Sequence, residues 1–478
     1  MNSAFASDIL DDLMTHKSVH IKSFGCQMNK LDTALVTAAL QKEGYSFTDE
    51  VEASDIVLIN TCSVREHAEE KVFSHLGFLK HLQKDHPDLV VGVIGCMAQR
   101  LGSELLEHEA VDIVCGPNQI PQITTLIKQV IDNNHKSLAV TEDIRKESCE
   151  NPELEEFESV YDSGDKQIPG QAYVRVMRGC NNFCSYCVVP YVRGPEVSRP
   201  PIKIIEQVKR LANEGVRQVT LLGQAVNSYQ YSAGEKIYNL ADILEMVNKT
   251  DGIKWIRFVT NYPQEGFFDS ILEAMAELPK VCSYLHMPAQ SGSDKILKEM
   301  NRKYTSAQYL ELLERARSIV PEIAIASDFI VGFPGETDED FQDTVNVVKK
   351  ARYKNCYVFK YSPRPGTIGE KKLKDNIPVD IKKKRNIELL AVQEKISNEL
   401  SKTFLGQTVT VLVEGLSKKP HLNMSEKGDE PQLVGRTDTD WIVVFNGFRN
   451  LADTFAQVKI TRTSPLTLFG EMMNPKGG

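Results

Sequence analysis

From residue 18 onward the chain alternates short apolar runs with helical stretches, and no other feature constrains its fold more. In the N-terminal part the run VHIKSFG ends at Cys26. DIVLINT (55–61) ends at Cys62, LVVGVIG (89–95) at Cys96 and VDIV (111–114) at Cys115. Continuous apolar runs of this kind bury both faces of a strand, the pattern of a parallel sheet covered by helices. In open sheets of this class ligands bind beyond the carboxyl ends of the strands. All four cysteines are placed there.

A second series occupies residues 171–363. AYVRVMRG, RQVTLLG, IKWIRFVT, VCSYLHM, IAIASDFIVG and CYVFKYS are six strand candidates, separated by helical stretches such as PPIKIIEQVKRLANEG. Six βα units predict a parallel barrel or partial barrel with its chemistry at the strands' carboxyl ends. A lysine-rich helical segment at about 378–404 follows. The tail then reads as short strands with turn residues between them (GQTVTVLVEG, QLVGRT, DWIVVF, AQVKITR), a small OB-like β-barrel. ENPELEEFESVYDSGDKQ is acid-rich and poor in apolar residues, and reads as a linker. The expected fold class is therefore α/β: an open parallel α/β sheet over 17–140, an acidic linker over 141–169, a partial (β/α)6 barrel over 170–400 and a small β-barrel over 401–470.

Length agrees with this division, since 478 residues suggest two or three domains. The net charge of −9 gives no global basic field, so any RNA must be met by a local patch or a dedicated module. The N-terminus lacks a basic start followed by an apolar core, and no run of about 18 apolar residues occurs, so neither signal peptide nor membrane span is expected. A cytoplasmic protein keeps its thiols reduced. Ten cysteines then point to metal or catalysis rather than disulfides.

RGCNNFCSYCVVP sets Cys180, Cys184 and Cys187 on one tight loop after the first strand of the six-unit series. Three thiolates can hold three irons of a [4Fe–4S] cube and leave the fourth open to a substrate. Zinc is the alternative, but it usually takes a fourth Cys or His at matching spacing, and none lies nearby. The CxxxCxφC pattern resembles the radical S-adenosylmethionine (SAM) superfamily. That resemblance implies SAM chelated by the open iron and cleaved by one electron to a 5′-deoxyadenosyl radical. It also implies cofactor contacts from GQAVN (Gln224, Asn227) after the second strand, HMPAQSGS (Gln290, Ser291) after the fourth and IVGFPGET (Ile330, Gly332) after the fifth. Tyr186 either packs near the adenine or is ordinary packing.

Cys26, Cys62 and Cys96 lie in GCQMN, NTCSVREHAEEK and GCMAQR, far apart in sequence. Topology alone leaves two readings, three thiolates converging on a second cluster or buried cysteines acting as small hydrophobes. These motifs, in this order, resemble the methylthiotransferase family of radical SAM enzymes. GRTDTDWIVVF (435–445) resembles the RNA-binding TRAM domain that ends them. The resemblance implies a second [4Fe–4S] cluster on Cys26, Cys62 and Cys96 that delivers sulfur, with SAM as both methyl donor and radical source. Reducing electrons and sulfur come from outside donors. Cys115 has no ligand role in the family pattern and is expected to pack. Cys149, Cys282 and Cys356 have no partner at metal spacing.

VVPYVRGPEVSRP (188–200) resembles the family branch acting on N6-isopentenyladenosine in the tRNA anticodon loop. The one departure is Val192 for the usual Thr. This implies methylthiolation of carbon 2 of the adenosine at position 37. Other branches act on threonylcarbamoyladenosine or on a ribosomal protein aspartate. Arg193 and Arg199 contact RNA phosphate or the cofactor, or else satisfy loop carbonyls or Glu196. Arg436 is the tail's candidate for RNA. The KKKR run at 382–385 meets tRNA backbone or forms a solvated helix face.

Overall fold

The computed structural model describes residues 17–63, 66–145, 152–158, 170–264, 268–418 and 431–473. Cys149, Lys419, most of the acidic linker and positions 64–65 of the second cysteine motif lie outside them. Two compact units are present. The first holds the N-terminal sheet together with Arg178–Val197 and Arg364–Thr367, and the second holds the rest of the chain beyond residue 165.

In the first unit the strands are β1 (Ser18–Phe24), β2 (Ser46–Phe47), β3 (Ile56–Thr61), β4 (Val90–Gly95), β5 (Ile113–Cys115) and β6 (Ser137–Ala139). They form one sheet in the order β2-β1-β3-β4-β5-β6, and every pairing is parallel. Every residue of β3 and β4 is buried, as their unbroken apolar runs require. Val57, Ile59, Val91 and Val93 pack with Leu76 and Leu79 of the helix Glu66–Asp85 and with Met97. Each such side chain stabilises the unit by about 1.5–3 kcal/mol. The edge strands β2 and β6 were not expected; two or three residues are too few to carry a periodicity. Part of the stretch read as linker is also structured, because Pro152–Glu158 is a helix with Leu154 and Phe157 buried.

In the second unit β7 (Gln171–Arg175) leads toward the CxxxCxxC loop, which is flanked by the short strands β8 (Met177–Arg178) and β9 (Val197–Ser198). The other barrel strands are β10 (Gln218–Leu222), β13 (Trp255–Val259), β14 (Tyr284–His286), β15 (Ala324–Val331) and β16 (Asn355–Lys360). All six expected strands are present. They make two three-stranded parallel sheets, β13-β10-β7 and β14-β15-β16, joined by a bridge between Ile256 and Val281. A hairpin of β11 (Gln230–Ala233) and β12 (Lys236–Asn239) follows β10 and was not anticipated.

The helix Val379–Lys402 leads to five strands, β17 (Thr408–Leu416), β18 (Gln432–Arg436), β19 (Ile442–Asn446), β20 (Phe455–Thr463) and β21 (Thr467–Met472). They close into a barrel in the order β17-β18-β19-β21-β20. Alternate residues fill it, Val411 and Val413, Val443 and Phe445, Val458 and Ile460, as the two-residue period of a strand dictates. Only β21 was missed: it follows Ser464-Pro465 and contributes a single fully buried residue, Leu468.

The KKKR run splits its roles. Lys383 and Lys384 are exposed, but Lys382 and Arg385, three positions apart on one helix face, point inward. Lys382 Nζ donates to both oxygens of Asp375 (2.7 and 2.6 Å), and Arg385 donates to Glu336 (2.7 Å) and Asp338 (2.8 Å). Half of the run is thus used to dock its own helix.

Candidate metal centres

The register of the first sheet decides where its cysteines fall. Phe24 pairs with Thr61 and Thr61 with Gly95, so three adjacent strands end at one level. Cys62 and Cys96 are the next residues after β3 and β4, and Cys26 lies two beyond β1. Cys26 also precedes the helix Gln27–Lys42 as its N-cap, and Cys96 opens the helix Cys96–Leu101. Helix N-termini carry partial positive charge and favour thiolates there.

An amide network fixes this rim. Asn29 accepts from the Cys26 thiol (3.2 Å) and donates to Asn60 Oδ1 and to the Thr61 carbonyl, both at 2.8 Å. Asn60 donates in turn to the Asn29 carbonyl (2.8 Å) and to Thr33 Oγ1 (3.0 Å). Asn29 is the last letter of GCQMN, so the motif held the signal although only its cysteine was assigned a role. A hydrogen bond from Cys62, reinforced by Arg193 and by the backbone N–H groups of Asn29 and Met28, pulls the Cys26 thiol down to about 6. Burial pushes Cys96 up, against the opposing pull of Arg193. Among the described residues no three His, Cys, Asp or Glu side chains converge on a point that would hold a single metal ion. A cube presents a different iron to each thiolate, so its ligands need only ring a cavity. Three strand-end thiols, one already acidic, beside a buried guanidinium fit that group.

Cys115 differs from this set. It is the last residue within β5 and pairs with Ile94, two positions short of Cys96. It is fully buried, and burial pushes its thiol well up. That is the environment of a packing residue. Cys282 and Cys356 are likewise buried, Cys282 pushed up to about 12.

The second set, Cys180, Cys184 and Cys187, sits on its loop in the first unit. Gly179 enters the loop in the left-handed region (φ +72°). Cys180 N–H donates to the Gly194 carbonyl (3.1 Å), Cys187 N–H to the Cys184 carbonyl (2.9 Å), and Asn182 Nδ2–H to the Cys180 sulfur (3.4 Å). Burial raises the Cys180 thiol and the Asn182 bonds oppose it. Arg145 lies over the Phe183 ring at 4.2 Å. Tyr186 is half-buried.

Arg193 is not on the surface. Its Nη2 donates to Asp32 Oδ2 at 2.8 Å and its Nε to the Cys96 sulfur at 3.3 Å, with both charged side chains almost wholly buried. An encounter with RNA phosphate is replaced by an internal ion pair across 161 residues of sequence. Arg199 is buried too, donating to the Arg175 carbonyl (2.6 Å) and Gln207 (2.9 Å). Arg436 is tied to Glu414 (3.1 Å) and Asp440 (3.0 Å). Asp440 also receives Lys354 (3.1 Å), and Arg257 donates to the Thr437 carbonyl. The GRTDTD segment is therefore anchored onto Arg257 of β13 and onto Lys354, the residue just before β16.

The loops after β10, β14 and β15 divide similarly. Gln224 Oε1 is buried without a hydrogen-bond partner among the described residues, an acceptor suited to an ammonium donor. Asn227 is committed inward, exchanging bonds with the Tyr262 backbone at 2.8 and 2.7 Å. Ser291 is buried, bonded to Thr344 Oγ1 (3.3 Å) and accepting from Ser293 N–H (3.2 Å). Gln290 adopts φ +71°, and its backbone bridges Asp328 and Ile330. Gly332 N–H donates to Glu336 (2.7 Å). These groups shape the loops, and Gln224 is the one left with an open acceptor.

Comparison with known proteins agrees with this architecture. The radical SAM superfamily matches residues 174–348, the uncharacterized protein family UPF0004 residues 18–116 and the TRAM domain residues 402–473. The tRNA-2-methylthio-N(6)-dimethylallyladenosine synthase of Rhodopirellula baltica is 44% identical over 463 residues, covering 95% of each chain. The protein of the same name from Carboxydothermus hydrogenoformans is 40% identical over 465 residues, covering 96% of this chain and all of the other. Among solved structures, the radical SAM methyltransferase TsrM of Kitasatospora setae shares the fold, with a TM-score of 0.52 at 14% identity over 74% of this chain and 77% of its own. The chain thus belongs to the methylthiotransferase family of radical SAM enzymes, alongside the tRNA-2-methylthio-N(6)-dimethylallyladenosine synthases.

Proposed function

We propose that this enzyme methylthiolates carbon 2 of N6-isopentenyladenosine at position 37 of tRNA, giving 2-methylthio-N6-isopentenyladenosine. The observation that carries the proposal is the paired cysteine sets. One rings the ends of β1, β3 and β4, and the other lies on a single loop beyond β7. The target is an aromatic C–H that no side-chain base removes usefully, so the reaction calls for radical chemistry supplied by a cofactor. Two [4Fe–4S] clusters would supply, when bound, the electron that cleaves SAM and a position for the sulfur to be transferred.

The chain's own residues then bind and orient. Cys180, Cys184 and Cys187 hold the first cluster and Cys26, Cys62 and Cys96 the second, each set leaving one iron free of protein ligands. Asn29 and Asn60 keep the Cys26 and Cys62 turns in place. Val188 and Val192 cover Cys96 and exclude water from it. In the second unit, Gln224 keeps a buried side-chain oxygen open to a donor. Isopentenylated tRNA, SAM, an external reductant and a sulfur donor complete the reactants. No helix among the described residues is long and apolar enough to cross a membrane, and the reading is of a cytoplasmic enzyme.

Nucleoside mass spectrometry of tRNA from cells lacking the protein tests this. N6-isopentenyladenosine should accumulate at the expense of its methylthio form, and the product should return with the gene. Unchanged 2-methylthio-N6-isopentenyladenosine, with a loss of methylthio groups from ribosomal protein or from threonylcarbamoyladenosine, would refute it.

A further inference from the structure

We propose that Arg193 is a positioning residue that fixes Cys96 and raises the reduction potential of the cluster held by Cys26, Cys62 and Cys96. The inference rests on reading those three cysteines as cluster ligands and adds a residue to that site.

Two neighbouring residues of one loop grip one member of each cysteine set. Gly194 accepts the backbone N–H of Cys180 at 3.1 Å, and Arg193 donates to the sulfur of Cys96 at 3.3 Å. The short helix Val189–Val192 delivers both, with Val188 and Val192 packed on Cys96. All of these residues belong to the first unit.

Burying an ion pair costs desolvation energy that its own attraction does not reliably recover. Here the Arg193 and Asp32 side chains are only 5% and 1% exposed. The geometry shows what the pair accomplishes. Asp32 takes Nη2, which fixes the plane of the guanidinium and leaves Nε–H aimed at sulfur. A lysine has no such fork and cannot hold both partners in a fixed relation. An N–H donor and a positive charge at a ligand sulfur stabilise the more negative, reduced state of a cluster, and so raise its potential. Arg193 also ties the position of Cys96 to the loop that carries the other three cysteines.

The test uses full-length protein carrying Cys180→Ala, Cys184→Ala and Cys187→Ala, so that only the second cluster contributes. An EPR-monitored redox titration then compares Arg193 with Arg193→Lys, which keeps the charge but loses the fork, and with Arg193→Met, which loses both. About four irons per chain should remain. The one-electron reduction equilibrium should weaken at least tenfold in the Met variant, a fall of about 59 mV, and by less in the Lys variant. An unchanged potential in an iron-loaded Met variant overturns the proposal. If the Met variant holds no iron, the Lys variant decides in the same way. Loss of iron from both, with circular dichroism unchanged, assigns Arg193 a purely structural role and also overturns it. Absence of iron while Arg193 is intact overturns the cluster reading itself, and the inference with it.

Discussion

Gly179→Ala should remove one cluster and leave the other. Gly179 enters the CxxxCxxC loop at φ +72°, and a Cβ there would stand 1.8 Å from the Pro195 carbonyl oxygen and 2.6 Å from that of Gly194. An ordinary contact needs about 3.5 Å, so backbone on one side must retreat by well over 1 Å. Left-handed backbone costs a non-glycine residue roughly 1–2 kcal/mol. The Gly194 carbonyl also accepts the Cys180 N–H, and losing that bond adds roughly 1 kcal/mol. A penalty of roughly 2–3 kcal/mol, concentrated on a loop joined to Cys180, should displace the ligand before it unfolds the sheet. Anaerobic reconstitution of the parent should give about eight irons per chain and of the variant about four. Reductive cleavage of SAM to 5′-deoxyadenosine should be lost. Gly215→Ala is the control, with φ +93° but open space around the added carbon, and should keep its iron. Full iron and full cleavage in Gly179→Ala would refute the claim that this turn sets the ligand geometry.

The other expectations probe the remaining elements. Replacing Cys26, Cys62 and Cys96 together with Ala should leave about four irons and preserve 5′-deoxyadenosine formation while abolishing methylthiolated tRNA; product from that variant would place the sulfur elsewhere. Cys115→Ala should keep full iron and most activity, because its thiol lies inside β5; an iron loss like that of Cys96→Ala would make it a ligand. Asp440→Asn should destabilise the second unit by about 3–5 kcal/mol by stranding Lys354, seen as a lower urea midpoint in tryptophan fluorescence from Trp255 and Trp441. Although burial alone would raise it, the Asp440 carboxyl is held down to about 2 by Lys354, Arg436 and Arg257. A folded value below the unfolded one of about 3.9 gives stability that is complete above pH ~4 and lost as pH falls toward 2. The native protein should therefore weaken across that window more than Asp440→Asn does, and equal slopes would contradict the assignment.

The strand skeleton was legible because long buried strands write themselves as unbroken apolar runs. β3 and β4 are buried at every position, and their sequences contain little else that the pattern could mean. β10 was found for the same reason, being buried throughout, whereas β14 is only three residues long and β16 is largely half-exposed, and their place in the βα series made them legible. The missed elements, β2, β6, β9, the β11–β12 hairpin and β21, are short or half-exposed, and their neighbours rather than their own periodicity make them strands. The helix Pro152–Glu158 was hidden by its acids, although Leu154 and Phe157 bury one side of it.

Side-chain roles followed a different rule. Cys180, Cys184 and Cys187 are visible through their spacing on one loop, whereas the strand-end positions of Cys26, Cys62 and Cys96 leave two readings and the family resemblance is what points to a cluster. The partner of a buried charge cannot be read this way. Arg193 and Asp32 lie 161 residues apart, and nothing near either one announces the other. Composition favours a surface role for any arginine in a loop, so contact with RNA stood for Arg436, and for Arg193 and Arg199 it stood beside the alternative of satisfying loop carbonyls or Glu196. The structure instead spends all three on internal carboxylates, amides and carbonyls. The basic surface for a polyanion must then come from side chains left exposed, such as Lys383 and Lys384 on the helix Val379–Lys402. Neutralising those two should lower tRNA affinity and flatten its salt dependence by about two phosphate contacts, with SAM cleavage intact. An unchanged salt slope would exclude that helix from the RNA path.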